Sequence, residues 1–133
     1  MNRALLLTVL MFSACPWSRA ELAPSVYEQM QTKAPEFLDI EVLRVDVGPG
    51  DAPERQTVRL MALVNKVNRS ASGVRTSDVI NITFTRTDRP KGLVGPGEIP
   101  LPAERDTSVA YLKRDPDTGD FFPVAGAMSF RDF

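Results

Sequence analysis

The sequence predicts an all-β fold, a small barrel of about five strands, and three observations point to it. Apolar and polar residues alternate in several stretches, the period of a half-buried strand. Clusters of Gly, Pro, Asp and Asn separate those stretches. The first stretch changes phase once, as a strand with a β-bulge does. With 133 residues, one domain is expected.

The first element is not a strand. Met1-Asn2-Arg3 is a short basic start, and Ala4 to Ala14 (ALLLTVLMFSA) is an uncharged, mostly apolar run. It is too short to span a bilayer, which takes about 20 residues, and it fits the core of a signal peptide. Ser18-Arg19-Ala20 supplies the small residues a signal peptidase reads, so residues 1–20 are expected to be a signal peptide, with Glu21 the new N-terminus. A second possibility stays open. Phe12-Ser13-Ala14-Cys15 resembles a bacterial lipobox, with Phe12 where an aliphatic is usual, and Cys15 would then be the lipidated residue of a membrane-anchored lipoprotein. Either route is expected to lead out of the cytoplasm, to a periplasmic or secreted location, with no transmembrane span in the mature form; a retained transmembrane anchor is the third alternative. Either route also leaves no cysteine for a disulfide, so the domain must stand on its apolar core.

Residues 21–35 are expected to form a short helix or tether. Ser25 with Glu28 has capping-box spacing, and Pro35 sets the stop. The barrel domain is placed at 36–133. From Phe37 to Val47, Leu38, Ile40 and Val42 share one face; Leu43, Val45 and Val47 share the next phase. The slip between Val42 and Leu43 predicts the bulge. Gly48 to Pro53 is a turn. A second strand fits Gln56 to Val67, with Val58, Leu60, Ala62 and Val64 in step. Asn68 to Ser77 breaks the pattern and is expected to be a loop. Ile80, Ile82 and Phe84 place a third strand over Asp78 to Thr87.

Arg89 to Pro102 holds four Pro and three Gly, too many for any regular element. Its apolar residues predict an ordered, packed loop. Ser108 to Arg114 is the fourth strand and Asp115 to Asp120 a tight reversal. Phe121 to Val124 is the returning strand, with Ala127 to Phe133 a candidate for the last. A bulged first strand and a long central connection favour an OB-type barrel among small β folds.

Several segments carry a family resemblance. Ser72-Gly73-Val74-Arg75 with Asp78 to Ile82, Gly92 to Pro96 with Ile99-Pro100, Ala110 to Lys113, and Phe122 to Gly126 with Ser129-Phe130 together resemble uncharacterised exported bacterial proteins with a netrin/TIMP-like OB-fold. The resemblance covers about residues 37 to 130. It implies the barrel and no particular activity. Better-known members of that fold inhibit metalloproteases through an N-terminal cysteine that chelates zinc. Cys15 is the only cysteine here, so that activity does not carry over.

Composition removes much chemistry. With no His and no cysteine in the mature chain, imidazole bases and imidazole or thiolate metal sites are excluded. Ser70-Ala71-Ser72-Gly73 lacks the elbow of a serine nucleophile and suits a hairpin loop. Glu98, Glu104 and Asp106 suit a solvated surface. Asp115, Asp117 and Asp120 resemble the start of a calcium loop, but Gly119 and the acid are in the wrong order, and Gly126 stands where the bidentate Glu belongs. The expectation is no enzyme, no cofactor, no metal and no catalytic residue.

Binding is the remaining role, with a protein or another envelope component as the expected partner. Residues 21–54 hold 2 basic and 8 acidic groups, and residues 55–91 hold 8 basic and 2 acidic. The basic segment suits an anionic partner, with Arg69, Arg75 and Arg89 as candidate anion-binding residues. It suits strand pairing better, with Asp39 and Glu41 across from Arg59 and its neighbours, because the acidic and basic segments are adjacent in sequence. Export and the lack of interleaved aromatics argue against nucleic acid. In the Pro/Gly loop, Lys91, Leu93, Val94, Glu98 and Ile99 are the candidate partner-binding residues. The same loop with its Phe and Tyr neighbours suits a small ligand or glycan instead.

Overall fold

Alternation from Glu36 onward drives the chain into strands, and a computed structural model shows how they close. It describes residues 22–87 and 97–133. The elements are helix α1 (Pro24–Lys33), strands β1 (Glu36–Pro49), β2 (Arg55–Ser70), β3 (Val79–Thr87), β4 (Thr107–Arg114) and β5 (Phe121–Pro123), and a 3-10 turn at Gly126–Ser129. The strands form a closed barrel in the order β1-β2-β3-β5-β4, with β4 pairing back to β1. All pairs are antiparallel except β3 with β5. The fold is all-β, a small OB-like barrel with one short helix.

Inward side chains fill the interior. Leu38, Ile40, Val58, Leu60, Ala62, Val64, Ile80, Ile82, Phe84, Leu112, Phe121 and Phe130 form one buried cluster. The phase slip in β1 is a real bulge, since Val42 pairs with Ala62 but Arg44 with Met61, leaving Leu43 as the extra residue. Two further register shifts, between Phe37 and Leu38 and between Asp39 and Ile40, lie where β1 pairs with both β2 and β4, and such irregularities let a strand bend as a small closed barrel requires.

Helix α1 ends at Lys33, as Pro35 requires, but it starts differently from the capping-box expectation. Ala23 is the N-cap, with no side-chain cap, and Pro24 opens the helix. Proline at the first turn gives up an N–H that has no helical partner anyway, so Ser25 lies inside the helix. The helix packs on the outside of the barrel. Tyr27 is buried, and Ala34 joins Tyr111 and Ala125 in a second small cluster.

Two further boundaries differ from expectation. β2 runs on to Ser70 instead of stopping at Val67, because Phe37 pairs with Arg69 and Glu36 with Ser70. A partner strand overrides weak local propensity. Ala127 to Phe133 is not a strand: it holds the 3-10 turn and a single bridge from Phe130 to Ala110. Gly126, at φ +52, bends the chain there, and the Ser129 hydroxyl accepts the Ala125 N–H at 2.9 Å.

Candidate interaction surface

β1 and β2 are much longer than β4. β4 covers β1 only from Glu36 to Glu41. Beyond that point β1, β2 and β3 continue as a three-stranded arm. Its hairpin is closed by Gly50, whose N–H donates to the Arg55 carbonyl at 2.9 Å. A Cβ on Gly50 would sit 2.7 Å from that carbonyl oxygen, so the tip requires glycine.

The outer face of this arm carries an apolar strip. Leu63 of β2 is directly opposite Val79 of β3. Met61, two residues along the same face, is opposite Asn81 on one side and Arg44 on the other, with the bulge residue Leu43 next to Arg44. Leu43, Met61 and Val79 are 39%, 40% and 54% exposed. Charged and amide side chains border the strip: Arg44, Arg59, Lys66, Asn65 and Asn81. Apolar side chains gathered on one face within a polar rim are typical of a protein-contact surface.

The basic residues of β2 and β3 do not assemble into one stripe. Arg59 lies opposite Asp46 and Lys66 opposite Asp39, while Glu41 lies opposite Leu63. Acid and base do face each other across β1 and β2, but the register set at the hairpin places Arg59 opposite Asp46 and well along β1 from Asp39 and Glu41. Arg55 pairs with Asp51 at 3.4 Å. Arg69 turns to the helix. Its Nε donates to the Ala34 carbonyl and its Nη2 to the Gln31 carbonyl, both at 2.9 Å, and its guanidinium lies 5.7 Å from the Phe37 ring centroid. That ring stacks on Tyr111 at 4.9 Å. The cation thus satisfies the last carbonyls of α1, where a positive charge is favoured. Arg75 is in the β2–β3 turn, where its backbone N–H donates to Asp78. Arg89 lies outside the described residues.

Of the loop candidates, Lys91, Leu93 and Val94 also lie outside the described residues, as does Cys15. Ile99 is buried and joins the main cluster, so its side chain plugs the barrel. Glu98 is half-buried and accepts the Thr87 N–H at 3.3 Å, which ties the loop to the end of β3. Leu101 is exposed. Two of the acids singled out in the sequence shape turns. The Asp115 carboxylate accepts the Asp117 N–H, and the Asp106 carboxylate accepts the Ala103 N–H.

A concavity lies between the β2–β3 and β4–β5 turns. It has a volume of about 270 Å³ and is lined by Ser72, Asp78, Asn81, Arg114, Gly119 and Phe121, among others. Gly119 has φ +78, and a Cβ there would meet Arg114 Nη2 at 3.5 Å, so the guanidinium lies close against this turn. Buried Glu36 supports the wall, its Oε1 accepting the Ser72 N–H at 2.9 Å. Sequence reasoning missed the Glu36 contact, the Arg114 wall and the apolar strip. Strand register decides which residues of separate strands become neighbours, and no local pattern reports it.

Against family models, curated proteins and solved structures, the chain gives no match. Among the described residues, no helix is long and apolar enough to cross a membrane.

Proposed function

We propose that this chain is a non-catalytic interaction module, exported to the cell envelope, which binds a protein through the outer face of its β1–β2–β3 arm. The apolar strip of Leu43, Met61, Leu63 and Val79 carries this reading. It leaves three large apolar side chains exposed on one face, where a partner surface would gain by covering them. Support for export comes from the run Ala4 to Ala14 followed by Ser18-Arg19-Ala20, or from acylation at Cys15.

Site-specific photocrosslinking tests it. A crosslinker at Met61 or at Val79 should yield one adduct with a different envelope protein, and one at Thr118, on the β4–β5 turn, should not. Met61→Glu should abolish that adduct while leaving the unfolding midpoint unchanged. Equal adducts from all three positions would defeat the proposal.

The cleft beside Arg114 favours a second reading, a site for a small polar or hydroxyl-rich ligand. The Ser72 hydroxyl is buried without a hydrogen-bond partner among the described residues, and such groups usually have one. Titration calorimetry of Arg114→Ala and wild type against small sugars and carboxylates separates the two readings.

A further inference from the structure

The arm has an edge as well as a face. Val42 makes the last backbone bonds on the β4 side of β1: its N–H donates to the Asp106 carbonyl at 2.8 Å and its carbonyl accepts the Arg105 N–H at 2.7 Å. From Leu43 to Pro49, no strand pairs with that edge among the described residues. The bulge resets the phase. Gly50 donates across the hairpin to Arg55, so ladder alternation turns Arg44, Asp46 and Gly48 toward β2. The N–H and C=O groups of Val45 and Val47 therefore point out along the open edge. An unpaired strand edge flanked by apolar side chains is a template for another strand.

We propose that this edge pairs with the same edge of a second copy of the chain, antiparallel about a twofold axis at Val45. The interaction does not depend on the strip's having a foreign partner.

The side chains around Val45 make the edge self-complementary. Arg44 precedes it and Asp46 follows, both on the outer face, bridged at 3.0 Å and with side chains 63% and 55% exposed. A twofold axis normal to the sheet keeps outer faces together and sets Arg44 of each copy opposite Asp46 of the other. These are non-hydrogen-bonded positions in the new ladder, where facing side chains come closest. Val45 meets Val45 of the second copy and the two exchange their backbone bonds. Exposed Leu43 and Val47 flank the seam. Moving the axis to Asp46 would set two like charges directly opposite, which is destabilising. Charge pattern therefore selects both the occupant and the register, as an isologous interface requires. Pairing would place both apolar strips on one face of a continuous sheet.

Sedimentation of the full-length chain over a range of concentrations tests this. Wild type should show a concentration-dependent dimer. Arg44→Glu alone and Asp46→Lys alone each put like charges across the seam at both positions, and each should sediment as a monomer at concentrations where wild type is dimeric. An equimolar mixture of the two variants restores opposite charges at both positions and should form a heterodimer. The double variant Arg44→Glu with Asp46→Lys should regain the homodimer, and it decides the matter if either single variant folds poorly by circular dichroism. A monomeric wild type, dimers undiminished in both single variants, or a double variant that stays monomeric would each overturn the proposal.

Discussion

β1 is one strand in two environments. From Glu36 to Val42 its residues alternate between buried and half-buried, with Leu38, Ile40 and Val42 almost fully enclosed. From Leu43 to Pro49 none is buried, although Val45 and Val47 keep the same apolar alternation. Val47 is 46% exposed and Leu38 0%. The two halves differ in what arrives on the other side. β4 and the turn at Arg105 and Asp106 cover the first half, and β4 pairing ends at Glu41. Alternation therefore marks a strand without settling how deeply either face is buried.

Breaking each half should show the contrast. The largest effect is expected at Leu38→Ala, which leaves a cavity in the closed half and should cost about 3–5 kcal/mol in denaturant unfolding. Val47→Ala, the same kind of truncation in the arm, should stay within about 0.5 kcal/mol of wild type. Equal losses at the two sites would show that the arm is as well packed as the barrel.

The arm has one demanding position of its own. Gly50→Ala forces a Cβ against backbone at the Arg55 carbonyl, which side-chain rotation cannot relieve, and should cost about 1–3 kcal/mol. Amide exchange should quicken at Arg55 and along the arm, while the amides of Leu38 and Leu112 keep their protection. Loss of protection throughout the barrel would mean that the two halves unfold together.

A smaller effect sharpens the closed half. Arg69→Ala removes two charge-assisted bonds to the end of α1, and because the group is exposed the loss should be about 1 kcal/mol. Proteolysis near Lys33 should accelerate while the barrel's midpoint shifts little. An unchanged cleavage rate would show that the Tyr27 and Ala34 contacts hold the helix without the cation.

The local signals that held were those with a local cause. The side chains of Ile80, Ile82 and Phe84 point inward because a strand has a period of two, whichever strand lies beside it. The bulge at Leu43 was visible as a phase slip for the same reason. Asp115 to Asp120 had to reverse, because Asp, Pro and Gly fit a turn and suit a strand poorly. The capping box at Ser25 failed because Pro24 opens the helix two residues earlier, with Ala23 as the N-cap. Asn68 to Ser70 became strand because β1 offered partners to a segment with little preference of its own.

Amino-acid order alone determined where most of the strands lie, the bulge, the exclusion of histidine chemistry, and the apolar residues available for a core. Each follows from backbone geometry or side-chain chemistry within a few residues. Only the tertiary structure decided that Arg69 holds a helix, that Ile99 plugs the barrel, that Leu43, Met61 and Val79 share a face, and that β1 has an open edge beyond Val42. Those outcomes depend on register and on where β4 stops. Both are set by the balance of burial and pairing over residues far apart in the chain, which no short window of sequence contains.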